Sequence, residues 1–406
     1  MEATLQSIFR STFESYRKEH GLSMDQIKAA QAIMDCQSEA LGHEAWMCRN
    51  DGYVEQQHHS CRHRSCPRCN GSQSREWLEK IKAKLLPCEH YHVVFTLPHE
   101  LNAIWHYNRR WCTDKLFQAT AETLRELLED DRYLGAEVGL LSSLHTWGRT
   151  LTFHPHMHVL VTGAGIHCDD VRRIKNDFLL PVGVLKAKFR GKWLSWLNRA
   201  YAEGAITLPE GWTELDWRRV LRQVARKNWN IRIQGAYKRG DGVAVYLSRY
   251  VRGGPVKNHR IVSADKHRVS FRYKDHHDGT YKPMTLPTAH FVTRVLWHVA
   301  VAGQHQVRHY GLYAGGAKEK RDLVRSAQGV ESEKTFDKPE KETPRCPECG
   351  HALMHVMSTR RKISYIKSRR VQQDVTADRG RVSAPIGWHF IDASPPFFCA
   401  VQRPLN

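Results

Sequence analysis

The sequence lacks any long hydrophobic segment. A membrane-spanning helix needs about 18 to 20 consecutive apolar residues, and the 406-residue chain contains no such run. The first 22 residues, MEATLQSIFRSTFESYRKEHGL, carry charges throughout and have no apolar centre of the kind found in a secretory signal. We therefore expect a cytoplasmic protein with no membrane partner.

The sequence also has no Gly-x-x-x-x-Gly-Lys-Ser/Thr loop of the P-loop NTPases, and it has few acidic residues. Lys and Arg number 62 against 42 Asp and Glu, which gives a formal net charge of +20. A surplus this large favours a polyanionic partner such as nucleic acid, although a basic protein without a specific partner is also compatible with it. Basic and aromatic residues alternate in KFRGKWLSWLNRAY and WRRVLRQVARKNW. This pattern suits contacts with phosphates and unstacked bases, so DNA is the expected partner.

Cysteine, in contrast, is plentiful. Of the 11 cysteines, five fall between Cys36 and Cys69, and in a reducing compartment such a cluster indicates bound metal rather than disulfides. Because zinc takes four nitrogen or sulfur ligands, we predict structural Zn²⁺ on a set of residues in this segment: Cys36, His43, Cys48, Cys61, His63, Cys66 and Cys69. Cys61, Cys66 and Cys69 with one histidine, His63 as the first choice, would fill one site. Cys36, His43 and Cys48 would begin a second.

A further Cys-x-x-Cys pair, Cys346 and Cys349, lies near the C-terminus, and His351 and His355 follow it. No other cysteine is near except Cys399. A complete zinc site needs four ligands, so we interpret this segment as an isolated half-site.

The stretch LTFHPHMHVLVTGAG places histidines on alternate positions at the head of an apolar strand. Residues two apart on a strand point to the same face, about 6.5 Å apart. His156 and His158 could therefore share a divalent ion, with His154 as a third ligand. The alternative is that these are surface or hydrogen-bonded core histidines.

The stretch GVAVYLSRYVRGGPV contains Tyr246 and Tyr250, and it could be a helix or a strand. In a helix the two tyrosines are four residues apart on one face. Half-buried core tyrosines have the same spacing. Beside a histidine-bound Mg²⁺ or Mn²⁺, however, a tyrosine oxygen could attack a DNA phosphate and conserve the energy of the bond as a phosphotyrosine.

HPHMHVLV together with YLSRY resembles the HUH endonucleases, named for a histidine–hydrophobic–histidine motif. Over residues 1–313 the chain is similar to the two-tyrosine rolling-circle transposases of bacterial insertion sequences. Further motifs that carry the resemblance are SCRHRSCPRC, LLPCEHYHVVFTLPHELN, LHTWGRTLTFHPHMH and YLSRYVRGGPVKNHRI. Their order and spacing together are specific.

The resemblance implies an α+β fold, in which an HUH nuclease core with a central antiparallel sheet flanked by helices follows a small helical and zinc-binding domain. It implies cleavage of single-stranded DNA at element ends and strand transfer through 5′-phosphotyrosine intermediates. Tyr246 and Tyr250 would be the nucleophiles, and His156, His158 and His154 the ligands of a catalytic Mg²⁺ or Mn²⁺.

The chain departs from the family pattern at two points in its zinc-binding segment. Asp51 stands where related transposases have the second cysteine of a Cys-x-x-Cys pair. In CRHRSC a histidine and a small polar residue are exchanged, which leaves the fourth zinc ligand open between His63, His59 and His58.

Composition and motifs together divide the chain into five parts. These are N-terminal helices (1–35), a zinc-binding domain (36–90), the catalytic domain (91–314), a charged linker (315–345) and a C-terminal segment with a basic tail (346–406).

Two alternative functions stay open. A replication initiator or relaxase would use the same phosphotyrosine chemistry as a transposase. A zinc-dependent DNA-binding protein without catalysis is the alternative from another class.

Overall fold

The computed structural model describes residues 3–237, 242, 244–245, 248, 254–332, 336 and 342–361. The strands, in chain order, are β1 (His43–Met47), β2 (Val54–His58), β3 (His90–Thr96), β4 (Glu137–Trp147), β5 (Phe153–His167), β6 (Asp170–Arg173), β7 (Ile231–Tyr237), β8 (Ile261–Ala264), β9 (Arg268–Lys274), β10 (Tyr281–Pro287), β11 (Val307–Gly311) and β12 (Met354–Ser358).

The α-helices are α1 (Leu5–Glu19), α2 (Met24–Asp35), α3 (Gly71–Lys84), α4 (Asn102–Tyr107), α5 (Arg109–Leu128), α6 (Val182–Ala202), α7 (Glu214–Arg226), α8 (Thr288–Trp297) and α9 (Lys318–Ser326). Their starts follow local sequence signals. Ser23 begins α2 with a capping box, in which its side chain accepts from the backbone N–H of Gln26 while the Gln26 side chain accepts from the N–H of Ser23. None of the helices in the described part of the chain has both the length and the apolar character needed to span a bilayer.

The largest sheet has the strand order β11-β4-β5-β3-β7, with β6 paired to β5, and its pairings are antiparallel. Strand β5 is central and alternates between two faces. One face carries Met157, Val159 and Val161, which are fully buried in a core formed with α5 and α6. The opposite face carries His156 and His158. This arrangement confirms the predicted α+β class with a central antiparallel sheet flanked by helices.

A second core lies beneath the N-terminal helices. The three-stranded sheet β10-β9-β8 contributes Phe271, α8 contributes Phe291, and α1 contributes Phe9 to one apolar cluster. Cys36, Cys66 and Cys69 belong to the same cluster. The cysteine-rich segment is therefore packed into this core.

The third sheet joins two segments that are far apart in the sequence. Strand β1 pairs with β2 on one side and with β12 on the other, and both pairings are antiparallel. Trp46 lies opposite His355 in this register. Residues 354–358 therefore form part of the N-terminal zinc-binding region, although more than 250 residues separate them from it in sequence.

Candidate active site and cysteine clusters

Three histidines meet on the face of the central sheet opposite the Met157 core. In the antiparallel pairing of β4 with β5, His145 lies directly opposite His156, and Ser143 lies opposite His158. One ring nitrogen from each of His145, His156 and His158 lies within 4.8 Å of the other two. The ring centroids of His145 and His158 are 4.3 Å apart, and those of His156 and His158 are 4.9 Å apart.

The structure groups His145, and not the predicted His154, with His156 and His158. His154 is exposed and lies outside the group, although its ring centroid is 5.2 Å from that of His156. His145 joins the group because the β4–β5 pairing sets it directly opposite His156 and brings its ring centroid to 4.3 Å from that of His158. Pairing β4 with β5 as a hairpin sets His145 opposite His156, and the histidine motif alone did not predict this register.

Hydrogen bonds fix which ring nitrogen His156 and His158 present. His156 Nδ1 lies 2.6 Å from the backbone oxygen of His154, so Nδ1 carries the proton and Nε2 has a lone pair. His158 Nδ1 lies 2.8 Å from His92 Nε2, and His92 Nδ1 lies 2.8 Å from Gln234 Oε1. When Gln234 Oε1 accepts from His92 Nδ1–H, His92 Nε2 accepts from His158 Nδ1–H. This arrangement leaves Nε2 of His158 as a metal-binding lone pair, as outer hydrogen-bond partners do in known metal centres.

Burial keeps these imidazoles neutral. Desolvation lowers the pKa of His156 to about 4 and lowers the pKa of His145 and of His158 well below the usual value. Neutral imidazoles are the form that binds metal. Three such nitrogens in one cluster fit a divalent transition ion better than Mg²⁺, which prefers oxygen ligands.

Tyr246 and Tyr250 lie outside the described residues. Around them Gly242, Ala244, Val245 and Ser248 are helical, which decides between the helix and strand alternatives for these four positions. Ala244 is fully buried in an apolar cluster that also contains Leu160. Leu160 is two residues beyond His158 on β5 and hence on the same face of the sheet.

The first cysteine cluster is made of four thiols, those of Cys36, Cys61, Cys66 and Cys69. The sulfurs of Cys61 and Cys69 are 3.7 Å apart. Hydrogen bonds from the neighbouring thiols, that of Cys36 first, lower the pKa of Cys66 and so favour its thiolate. Four cysteines at this spacing form a complete tetrahedral zinc ligand set.

This cluster differs from the predicted set of three cysteines and one histidine. Cys36 fills the fourth position because α2 ends at Asp35 and brings the next residue against the Cys66 knuckle. His63 lies outside the cluster, and its Nδ1 accepts from the backbone N–H of Ser65 at 3.2 Å. The alternatives His58 and His59 are likewise outside it.

A second cluster joins Cys48 and Asp51 to Cys346 and Cys349. It corrects two predictions. Cys346 and Cys349 are not isolated, and Cys48 is not grouped with Cys36 and His43. The ring of His43 instead packs edge-on against that of His58 on the neighbouring strand, with centroids 6.0 Å apart.

The Cys61–Cys69 loop of the first cluster closely approaches Gly254. A Cβ on Gly254, which has a positive φ of 67°, would lie 2.7 Å from the backbone oxygen of Ser65 in the Cys61–Cys69 loop. The charge of Arg64, the residue before Ser65, contributes to lowering the pKa of His145, after burial and two neighbouring histidines. Through Arg64, the Cys61–Cys69 loop is within electrostatic range of His145.

Comparisons with known proteins agree with this organisation. A family model described as "Transposase zinc-binding domain" matches residues 8–97, and one described as "Putative transposase" matches residues 139–321. The chain is 36% identical over 369 residues to "Putative transposase y4qJ" of Sinorhizobium fredii, covering 86% of this chain and 93% of that protein. It is 30% identical over 308 residues to the "Transposase for insertion sequence element IS801" of Pseudomonas savastanoi pv. phaseolicola, covering 73% of this chain and 72% of that protein. No solved structure matches the chain.

Proposed function

Because the chain belongs to the IS91 and IS801 family of insertion-sequence transposases, we propose that it cleaves and rejoins single-stranded DNA through 5′-phosphotyrosine intermediates in rolling-circle transposition. The observation that carries this proposal is the group His145, His156 and His158 on one face of an antiparallel sheet. The His-x-His pair at the head of β5 agrees with the motif that gives HUH enzymes their name.

The three histidines would hold the catalytic divalent ion through their ring nitrogens. When bound, the ion polarises the phosphodiester and offsets the charge that develops on its oxygens. Of the predicted ions, Mn²⁺ is the better match to three imidazoles, and Mg²⁺ the poorer one. The hydrogen bonds to His154 O and His92 would keep each metal-binding nitrogen unprotonated.

Tyr246 and Tyr250 are the proposed nucleophiles. The phenol oxygen of one tyrosine attacks the phosphorus, the bond from phosphorus to the 3′-oxygen breaks, and that oxygen takes up a proton as a free 3′-hydroxyl. A 3′-hydroxyl of another strand then attacks the phosphotyrosine and releases the tyrosine. Two tyrosines allow one to hold a cleaved end while the other cuts the next, and no ATP is needed because the bond energy is conserved.

Positive charge on the same side of the sheet supports DNA as the substrate. Val94 of β3 lies opposite both His158 of β5 and Arg232 of β7, so exposed Arg232 shares the face of the histidines. Arg64 of the zinc-binding loop is close enough to His145 to lower its pKa. Such residues can contact phosphates, and DNA affinity should therefore fall steeply with added salt.

A covalent-adduct assay tests the proposal. Purified protein is incubated with Mn²⁺ and labelled single-stranded oligonucleotides that contain the element ends, and adducts are resolved on a denaturing gel. The wild type should form an adduct, and the double variant Tyr246→Phe with Tyr250→Phe should form none. The matched control is Tyr281→Phe, which changes an exposed tyrosine on β10 and should leave the adduct unchanged.

Two outcomes would contradict the proposal. Undiminished adduct formation in the double phenylalanine variant would remove the tyrosines from the mechanism. Tight DNA binding with no adduct under any divalent ion would favour the non-catalytic DNA-binding alternative.

A further inference from the structure

The Cys48 and Cys346 segments form two turns with the same backbone geometry. In the first, Cys48-Arg-Asn-Asp51 is followed by Gly52, and the Gly52 N–H donates to Cys48 O at 3.0 Å. In the second, Cys346-Pro-Glu-Cys349 is followed by Gly350, and the Gly350 N–H donates to Cys346 O at 2.9 Å. Both glycines have a φ of 76°, a left-handed conformation that residues with a Cβ rarely adopt.

A second hydrogen bond extends the match. The N–H of Cys48 donates to the backbone oxygen of Tyr53, five residues later, at 2.8 Å, and that of Cys346 donates to the oxygen of His351, also five residues later, at 2.8 Å. The two turns are thus equivalent position by position. Asp51 occupies in the first turn the place that Cys349 occupies in the second.

The side chains of the two turns point at one another. The sulfurs of Cys48 and Cys349 are 3.5 Å apart, and the sulfur of Cys346 lies 3.3 Å from Oδ2 of Asp51. One ligand atom from each of the four residues lies within 4.8 Å of all the others. Cys48 and Cys346 are almost fully buried, at 1% and 3% exposure, within a small apolar cluster that includes Leu353.

We propose that these four residues bind a second structural zinc ion, with three cysteine thiolates and one carboxylate as ligands. Three sulfurs and a carboxylate oxygen are a ligand set that zinc accepts in tetrahedral geometry. The paired turns supply two ligands each, as in a zinc ribbon. Asp51 completes the site in the place of a fourth cysteine.

This zinc ion would fasten the C-terminal segment to the N-terminal domain. Beyond the turn, β12 pairs with β1, the Thr359 N–H donates to His43 O at 2.9 Å and the Arg361 N–H donates to Leu41 O at 3.1 Å. These backbone bonds are few, and most side chains of β12 are exposed. Metal binding can contribute much of the folding free energy of such a small unit.

Zinc counting tests the site. Metal content is measured on the full chain after gel filtration, and Cys349→Ser should contain one zinc ion fewer per chain than the wild type. Asp51→Cys should keep the wild-type count and release zinc to a chelator more slowly, whereas Asp51→Ala should release one equivalent faster. Cys168→Ser removes an exposed cysteine outside both clusters and is the control, which should match the wild type.

A second measurement distinguishes loss of zinc from misfolding. A protease site is inserted between residues 332 and 342, and the cleaved protein is passed over a gel-filtration column with and without chelator. The C-terminal fragment should stay with the body in zinc and separate from it after chelation. An unchanged zinc count in Cys349→Ser, or equal retention of the fragment with and without chelator, would overturn the proposal.

Discussion

Replacing His145 with alanine tests which third residue completes the candidate metal centre. His145 is 2% exposed, lies directly opposite His156 and contributes a nitrogen within 4.8 Å of those of His156 and His158. Loss of an outer hydrogen-bond partner of a metal ligand typically weakens metal binding about 10- to 100-fold. Loss of a direct ligand should cost at least as much, so we expect the Kd for Mn²⁺ to rise about 100-fold, equivalent to about 2.7 kcal/mol.

The chain offers a matched control in His154→Ala. It removes the same chemical group from the same strand, two residues from His156, but at an exposed position outside the group. We expect its Kd for Mn²⁺ to change by less than about twofold, because no ligand is lost. Mn²⁺ affinity is measured by titration calorimetry, and adduct formation is measured over a range of Mn²⁺ concentrations.

Replacing buried His145 with alanine also leaves a cavity, which can destabilise the fold. The thermal midpoint of each variant is therefore measured without metal. His145→Gln serves as a second variant, because glutamine is polar and closer to histidine in size. In His145→Gln, excess Mn²⁺ should restore part of the adduct, since two imidazoles remain. The reasoning fails if His154→Ala abolishes Mn²⁺ binding while His145→Ala leaves it intact.

Three further results follow from the structure. His92→Phe removes the acceptor of His158 Nδ1 and should weaken Mn²⁺ binding about 10- to 100-fold; unchanged affinity in calorimetry would show that this hydrogen bond does not orient the ligand. Gly254→Ala places a Cβ 2.7 Å from Ser65 O at a residue with a positive φ. This variant should form less adduct while its zinc content stays unchanged. Full adduct formation would show that the close approach of Gly254 to Ser65 is dispensable. Burial lowers the pKa of His298 from 6.5 to about 3, so only the unfolded chain binds this proton between those values. The free energy of unfolding should therefore fall by about 1.4 kcal/mol per pH unit from this residue as pH drops below 6.5, and urea melts of His298→Phe should show a shallower slope.

Local patterns in the sequence predicted the scaffold of the site well. The apolar run that follows the histidines predicts a buried strand, and β5 is buried on both faces from Met157 to Ile166. A serine with a glutamine three residues later is a common local signal for a helix start, and Ser23 with Gln26 begins α2 in this way. Each of these inferences depends on residues within one element.

The sequence did not predict which residues of different strands and loops lie next to one another. His145 is eleven residues before His156 and belongs to another strand, so its place opposite His156 depends on a turn that ends β4 at Trp147 and starts β5 at Phe153. Cys36 and Cys66 are separated by strands β1 and β2. Cys48 and Cys349 are separated by 300 residues, and no spacing rule for zinc ligands reaches that far.

The two cysteine clusters stabilise different parts of the fold, because different residues surround them. Cys36, Cys66 and Cys69 are part of the core that contains Phe9 and Phe271, and Arg64 of the Cys61–Cys69 loop acts electrostatically on His145. A zinc ion in the first cluster would therefore stabilise this core. The second cluster has only a small apolar cluster of its own and contacts the rest of the chain chiefly through β1. Losing its metal should free the C-terminal segment while the histidine centre stays formed, because no strand of the central sheet depends on β12.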